Sequence, residues 1–299
     1  MNEINRKNKS AGRAILVITA ICWGLAGVCV KQISWGPMPQ ICARSIIALI
    51  MLVIAKRRLE PGDAGESSLR LQISKINILG AIASCATGIL YVMAIKKTTA
   101  GTAIVLQYIA PILVFLFAVL FQQRRARLSE VVITAAVFAG VFLSFFDQLD
   151  ATHVWGNLLA LLSGFTFATQ IIIQSDRKAS PGDSLIISCM LSFLFALPFT
   201  VADLSAGKME LSMQNIIWVL ILGIFQYGLA NVLFSVGIRK VEKVEASLIL
   251  TIEPIFNPIP VWLIYGEKMG VLAIIGAVIV IAGVTLYGLL PPTEETARH

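Results

Sequence analysis

Long apolar runs separated by short polar segments dominate this sequence from near its first residue to near its last. A helix that crosses the hydrocarbon core of a bilayer, about 30 Å thick, needs roughly 20 predominantly apolar residues. The runs do not alternate apolar and polar residues at every second position, as the strands of a membrane barrel would. The pattern predicts ten transmembrane helices, over residues 13–34, 38–55, 76–95, 101–121, 129–146, 155–175, 184–202, 214–236, 245–264 and 270–290.

Composition supports an integral membrane protein and excludes a pair of soluble domains. The chain has 299 residues, of which 57% are hydrophobic and 14% are charged, and its mean hydropathy is +0.84. A soluble domain carries about 25% charged residues, which keep its surface hydrated. We therefore predict an all-helical polytopic membrane protein, with the lipid bilayer as its surroundings.

Lys and Arg residues are distributed unevenly between the two sets of predicted loops. If the N-terminus is cytoplasmic, 18 of the 24 basic residues fall on the cytoplasmic side, five fall outside, and Arg44 lies within a span. Cytoplasmic loops of membrane proteins carry such an excess of positive charge. We predict that both termini are cytoplasmic in a cell-membrane protein. The net charge of +7 then reflects loop topology, and no nucleic-acid partner is expected.

The chain aligns with itself when it is shifted by 143 residues. A Lys, a mid-helix Pro and a Gly then coincide without a gap: Lys97 with Lys240, Pro111 with Pro254 and Gly140 with Gly283. Five spans per half is an odd number, so the second half must enter the membrane from the opposite side. Transporters with inverted repeats bind their substrate at the repeat interface. We predict repeats over 1–148 and 149–290 and a disordered cytoplasmic tail over 291–299; duplication in a purely structural protein is the alternative.

Several short motifs occur in order along these spans. They are Trp23-Gly24, Pro37 and Pro39 before Arg44, Tyr91-x-x-Ala94, Ala103 to Pro111, Ala246 to Glu253-Pro254, and Gly266-Glu267. In this order the sequence resembles the EamA-type bacterial exporters of the drug/metabolite transporter superfamily over essentially its whole length. The resemblance implies a ten-helix carrier with inverted five-helix repeats and a central cavity for small metabolites such as amino acids.

One corner of the sequence departs from that family pattern. The first half usually ends its fourth span in a glycine-glutamate-like pair, as the second half ends its ninth at Gly266-Glu267. Here Gln122-Gln123-Arg124 occupies the position. No gating role is therefore carried over to this corner.

Polar side chains at helical spacing within the spans are candidates for lining a cavity, because polar groups are costly in hydrocarbon. Such stripes are Ser163, Thr166, Gln170 and Gln174 in the sixth span, Tyr227, Asn231 and Ser235 in the eighth, and Gln107 with Tyr108 in the fourth. Interhelical hydrogen bonding is the alternative. The predicted substrate-binding residues are Trp23, Tyr91, Gln107, Tyr108, Gln170, Tyr227, Asn231 and Glu253. Trp23 and Tyr91 are predicted as aromatic walls, with core packing as their alternative.

Two ionisable residues lie within predicted spans. Glu253 lies near the middle of the ninth span, and an unpaired charge there would be expensive, so it should be protonated, paired or hydrated. We hypothesise that Glu253 is a proton-coupling site or binds a substrate amine. The alternatives are pairing with Arg44 or with backbone groups that Pro254 frees. Arg44 lies near the start of the second span, where its side chain can extend outward to the membrane surface.

Prolines interrupt two of the spans. Pro111 lies in the fourth span, and Pro254, Pro258 and Pro260 lie in the ninth. Each removes a backbone donor and clashes with the carbonyl four residues earlier, so both helices should kink or unwind. The freed carbonyls can bind substrate or form a hinge; static packing is the alternative. We predict structural or gating roles for Arg44, Pro111, Pro254 and Pro258.

Motifs for other functions are absent from the sequence. It has no GxxxxGK[ST], HExxH or GxSxG motif, only two His residues, and no CxxC among its five cysteines. We therefore expect no cofactor, no metal site and no enzymatic activity.

The leading hypothesis is a secondary transporter that exports small organic metabolites, with amino acids among the candidates, by alternating access. A membrane-embedded enzyme or a lipid flippase is the alternative, and a passive channel fits the mid-helix prolines less well. The fifth and tenth spans lack interior charge. They should face lipid or a second protomer, which makes a homodimer the candidate assembly.

Overall fold

The computed structural model describes residues 3–59, 71–121, 127–144, 146, 153–256 and 271–290, which are almost entirely helical. Seven helical segments are long and apolar enough to cross a membrane: Asn8–Gln32, Pro37–Arg58, Lys75–Lys97, Thr102–Leu120, Val154–Gln174, Pro181–Ser205 and Met213–Gly237. The shorter apolar helices Leu128–Leu143 and Ile274–Leu289 correspond to the fifth and tenth predicted spans. The predicted all-helical fold class is confirmed.

The helices occur along the chain as follows, with a π-helical segment (the π segment, Leu222–Leu229) between α10 and α11. They are α1 (Glu3–Trp23), α2 (Ala26–Gln32), α3 (Pro37–Leu59), α4 (Lys75–Lys97), α5 (Ala100–Gln107), α6 (Ala110–Leu120), α7 (Leu128–Ser144), α8 (Val154–Gln174), α9 (Pro181–Ser205), α10 (Met213–Ile221), α11 (Ala230–Gly237), α12 (Lys243–Leu250), α13 (Ile252–Phe256) and α14 (Val271–Leu289). The second part of the ninth span, with Pro258, Pro260 and Gly266-Glu267, lies outside the described residues. So do Gln122-Gln123-Arg124 and the tail 291–299.

Hydroxyl side chains fix where several helices begin. Ser74, Thr99 and Ser212 each precede a helix, and the hydroxyl oxygen of each accepts a hydrogen bond from the backbone N–H three residues later. Such caps satisfy backbone donors that have no partner within the first turn of a helix. They place the first residues of α4, α5 and α10.

The fourth and ninth spans are interrupted at the same position of the repeat. The bounds of α5 and α12 differ by the 143-residue shift, residue for residue. After each break a new helix starts, with Pro111 in the first turn of α6 and Pro254 in the first turn of α13. Proline fits the first turn, where its missing N–H would have no helical partner. The predicted interruption of both spans is confirmed.

The packing of helices is preserved when the first five spans are exchanged with the last five. α4 packs on α8 and α9, and its counterpart, the π segment together with α11, packs on α1 and α3. α5 and α6 pack on α8, as α12 and α13 pack on α1. When the halves are exchanged, α3 takes the place of α9 and α7 takes the place of α14, so the contacts within these two pairs are unchanged. This is the pattern of contacts that a two-fold axis between the halves would produce.

The contacts between α7 and α14 follow the same exchange at the level of single residues. A Cβ built on Gly140 would lie 3.0 Å from Val280, and one built on Gly283 would lie 2.5 Å from Val137. The two glycines coincide in the 143-residue shift, and so do the two valines. Each glycine thus lets the valine of the other half approach, which is the contact that a two-fold axis produces twice.

Candidate functional site

A cavity of about 500 Å³, counting space open to solvent, lies between the two halves. It is lined by Trp23, Arg44, Ser84, Thr87, Gly88, Tyr91 and Gln107 from the first half, and by Phe167, Gln170, Leu185, Gln226, Tyr227, Asn231 and Glu253 from the second. These residues belong to spans one to four and six to nine. α7 and α14, the helices of spans five and ten, contribute none of them.

The structure brings seven of the eight predicted substrate-binding residues to this cavity. Tyr108 is the exception: it is 1% exposed and lies behind the wall, against Glu253. Of the four predicted structural or gating residues, Arg44 lines the cavity and Pro111 and Pro254 lie at the helix breaks. Pro258 lies outside the described residues.

Several lining residues were missed from the sequence. Ser84 lies on α4 three and four residues before Thr87 and Gly88, and these lie four and three residues before Tyr91, so the four residues share one face of the helix. This stripe could have been found from the sequence. Phe167 and Leu185 gave no such signal, because apolar residues in a span are common on every face.

Arg44 points into the bundle and not toward the membrane surface. Its Nη2 donates a hydrogen bond to the Gly88 carbonyl oxygen at 2.7 Å, and its guanidinium carbon lies 4.3 Å from the centre of the Tyr227 ring. The residue is 2% exposed. The expected outward orientation is therefore wrong, because a carbonyl and an aromatic face solvate this cation inside the protein.

Glu253 is held by Tyr108 from the other half. The Tyr108 hydroxyl oxygen lies 2.7 Å from Glu253 Oε2 and 2.7 Å from the Leu250 carbonyl oxygen. Glu253 is 4% exposed. Among the described residues Glu253 has no ion-pair partner, so its alternative pairing with Arg44 is wrong.

Four of the lining residues carry buried polar atoms without a hydrogen-bond partner among the described residues. Within the described part of the chain, Arg44 Nε, Tyr91 Oη, Gln226 Oε1 and Asn231 Nδ2 are buried and have no hydrogen-bond partner. A buried unsatisfied donor or acceptor costs free energy. These atoms are therefore suited to bind a molecule that carries both donors and acceptors.

Aromatic rings form the apolar part of the site. The ring centres of Trp23 and Phe167 lie 5.7 Å apart at an interplanar angle of 75°, and Phe167 also packs edge-to-face on Tyr108 at 6.3 Å. Trp23 packs on Phe234 at 5.2 Å. Trp23 therefore serves both core packing and the cavity wall, because it is part of an aromatic cluster and lines the cavity.

The π segment places Gln226 and Tyr227 in the cavity wall. Its residues Gly223 and Gly228 lie directly against α3, where Cβ atoms would collide with Ile47 and Met51. π turns inside helices occur often at functional sites. The equivalent α4 of the first half is continuous, so the halves differ here.

Ion pairs join the helices at the end of the bundle where α1 begins. Glu245 of α12 pairs with Lys9 at 2.8 Å and with Arg13 at 2.5 Å, and Lys56 of α3 pairs with Asp183 of α9. At the opposite end, the Thr98 hydroxyl donates to Asn157 Oδ1 at 2.9 Å. Among the described residues, no group of three or more His, Cys, Asp and Glu could hold a metal ion.

Comparisons with known proteins agree over almost the whole chain. A model of the EamA-like transporter family matches residues 10–146 and residues 154–289. An uncharacterized transporter of Archaeoglobus fulgidus is 23% identical over 277 residues, which cover 92% of this chain and 95% of that protein. The uncharacterized inner membrane transporter YicL of Salmonella typhimurium is 24% identical over 294 residues, covering 91% and 95%.

A solved structure shares the fold. One crystal structure aligns with a TM-score of 0.77 at 15% identity, covering 94% of this chain and 98% of the other. At this identity the likeness concerns the arrangement of helices only.

Proposed function

We propose, on the premise that this chain belongs to the EamA-like transporter family, that it is a secondary carrier for a small organic solute. Membership of the family and the named relatives make the chain a multi-pass membrane transporter. The finer proposal is that the solute binds in the central cavity and crosses by alternating access of the two halves. It is carried by one observation, a cavity that the two halves line together and whose lining residues carry buried polar atoms without a partner in the described part of the chain.

The proposed solute is amphipathic and carries an anionic group, as amino acids do. Arg44 supports this, because a planar guanidinium suits a carboxylate and its Nε has no partner within the described part of the chain. Trp23 and Phe167 supply a wall for an apolar side group. Asn231 and Gln226 add a donor and an acceptor.

The remaining proposals concern topology. We propose repeats over 1–148 and 149–290, with cytoplasmic termini and export as the direction of net flux. The separate family matches and the reciprocal glycine–valine contacts support the division. The excess of Lys and Arg in alternate loops supports the orientation.

Counterflow in proteoliposomes tests the carrier proposal. The purified protein is reconstituted with an excess of an unlabelled internal solute, and uptake of the labelled external solute is measured for amino acids, sugars and nucleotides. We expect transient accumulation of at least one amino acid. Accumulation of none of the panel, together with scrambling of labelled lipids, would contradict the proposal and favour a flippase.

Two glutamines on α8 provide a matched pair of variants. Gln170 lines the cavity, whereas Gln174, one turn later, donates to the Ser84 hydroxyl at 2.8 Å and lies outside the lining. Because Gln170→Leu removes a polar group from the site, we expect about tenfold slower counterflow at low solute concentration. Gln174→Leu should keep the wild-type rate. Equal losses in the two variants would argue against the cavity as the binding site.

A further inference from the structure

The break before Pro254 leaves one backbone carbonyl without its helical donor. In a continuous helix the Leu250 carbonyl would accept from the N–H four residues later, and that residue is Pro254, which has none. The Tyr108 hydroxyl lies 2.7 Å from this carbonyl oxygen. Tyr108, at the break of the first half, therefore supplies a hydrogen-bond donor to the Leu250 carbonyl at the break of the second half.

The hydroxyl of Tyr108 has two oxygen neighbours and one hydrogen. The second neighbour, Glu253 Oε2, is also 2.7 Å away. A carbonyl oxygen can only accept, and so can an ionised carboxylate, whereas a carboxylic acid can donate. If Tyr108 donates to Leu250, the contact with Glu253 is a hydrogen bond only when the glutamate carries a hydrogen.

We propose that Glu253 is protonated in this conformation and that Tyr108 is the positioning residue that links this proton to the helix break. The Glu253 acid donates to the Tyr108 oxygen, and Tyr108 donates to the Leu250 carbonyl. When the proton leaves Glu253 for water in the cavity, Tyr108 turns its hydrogen to the carboxylate. The Leu250 carbonyl then loses its donor, and the break between α12 and α13 is released to rearrange.

The surroundings of Glu253 favour this chain of donors. α13 packs on α1, α5, α7, α12 and α14. No Lys, Arg, His, Asp or other Glu among the described residues forms an ion pair with Glu253. The ionisable side chain in contact with it is Tyr108, and Tyr91 of α4 lies near enough to interact with it electrostatically. A proton is thus the cation that the described residues leave for this carboxyl group.

Of the two roles hypothesised for Glu253, a proton-coupling site and a site for a substrate amine, this proposal favours the first. The assignment of the proton stands on hydrogen-bond geometry alone. Its use in transport, where proton release and solute binding would alternate, rests on the proposed carrier function. The two parts therefore need separate measurements.

Infrared spectroscopy of the purified protein in lipid nanodiscs tests the proton. The difference spectrum between wild type and Glu253→Gln at neutral pH should contain the C=O band of a carboxylic acid and no carboxylate bands. Tyr108→Phe should move this band to higher wavenumber, because the acid loses its acceptor. Carboxylate bands in the first spectrum, or an acid band that Tyr108→Phe leaves in place, would overturn the proposal.

Glu245 provides the matched control. It is as buried as Glu253, at 4% exposed, but both of its carboxylate oxygens are ion-paired. The wild type minus Glu245→Gln spectrum should therefore contain carboxylate bands only. If Glu253→Gln does not fold, wild-type protein labelled with ¹³C-glutamate replaces it: a ¹³C-shifted acid band supports the proposal, and none at neutral pH overturns it.

The transport arm uses a pH gradient across proteoliposomes. Wild-type accumulation of a counterflow substrate should respond to the gradient, and Glu253→Gln should exchange solute without responding. If no solute is transported while the acid band behaves as expected, the carrier function fails and the proton assignment stands. If solute is transported and the gradient has no effect on wild type, the coupling step is overturned.

Discussion

The two helix breaks begin as equivalent positions of the repeat but are completed in different ways. α5 and α12 end at equivalent residues, and each is followed by a proline that deprives one carbonyl of its donor: Gln107 in the first half and Leu250 in the second. At the first break, the backbone of α8 approaches so closely that a Cβ on Gly164 would lie 2.7 Å from the Gln107 oxygen. At the second, a hydroxyl donates to the Leu250 oxygen.

The difference lies in the side chains that the two halves carry at the breaks. Position 110 in the first half is Ala, and its counterpart in the second half is Glu253; the counterpart of Tyr108 is Thr251. Only the second break therefore holds a carboxyl group, and only the first contributes the phenol that contacts it. We call the first break, where Gly164 packs on Gln107, the packing joint. We call the second break, where Tyr108 contacts Leu250 and Glu253, the polar joint.

The largest effect should come from filling the packing joint. Gly164→Ala places a Cβ 2.7 Å from the Gln107 backbone oxygen and 2.8 Å from an Ile109 methyl group, so either α8 or the chain around the first break must move. We expect the free energy of unfolding to fall by about 2–3 kcal/mol, as for overpacked cores. Thermal unfolding in detergent, followed by tryptophan fluorescence, measures it.

Gly182 is the control for this variant. It lies in the first turn of α9, and a Cβ built there would meet nothing within 4 Å. Gly182→Ala should unfold at the wild-type temperature. Wild-type stability of Gly164→Ala would show that the first break does not depend on close backbone approach.

A smaller loss is expected when the polar joint loses its donor. Tyr108→Phe keeps the ring packed on Phe167 but leaves the Leu250 carbonyl unsatisfied. The cost should be about 1–2 kcal/mol, that of a buried acceptor without a partner. Chemical unfolding in mild detergent would measure it.

Tyr91→Phe is the control for Tyr108→Phe. Tyr91 is a second buried tyrosine of the cavity region, and its hydroxyl has no hydrogen-bond partner in the described part of the chain. Removing that hydroxyl should not lower stability. Equal stability of Tyr108→Phe and Tyr91→Phe would remove the distinction between the joints.

A still smaller effect is expected at the glycine that packs on the polar joint. A Cβ on Gly24 would lie 3.1 Å from the Glu253 carbonyl oxygen and 3.0 Å from Phe256, distances that a shift of a few tenths of an ångström relieves. Gly24→Ala should therefore cost less than about 1 kcal/mol. A loss as large as that of Gly164→Ala in the same unfolding assay would mean that both breaks depend on packing.

The sequence predicts that the two helices break, but not which groups contact the carbonyls that the breaks leave without a donor. Apolar runs indicate the spans, and the register that superimposes Pro111 on Pro254 predicts two interruptions. The pairing of Tyr108 with Leu250 joins residues 142 positions apart, and no local pattern indicates which carbonyl a phenol will reach. Arg44 failed for a related reason. The sequence indicates how deep Arg44 lies in its span. It does not indicate that the Gly88 carbonyl of α4 will come within hydrogen-bond distance of Arg44 when α3 and α4 pack.

The smallest perturbation tests the inversion on which the comparison depends. Lys97 and Lys240 are equivalent in the repeat and exposed, so cysteine at either position should change stability by no more than about 0.5 kcal/mol. In a background without the five native cysteines, an impermeant maleimide added to intact cells should label Lys97→Cys and not Lys240→Cys. Labelling of Lys240→Cys alone would reverse the proposed orientation but keep the inversion. Labelling of both from one side would place the two breaks in parallel halves. The shared cavity and the contact between Tyr108 and Leu250 would then need an explanation other than a two-fold axis within the membrane.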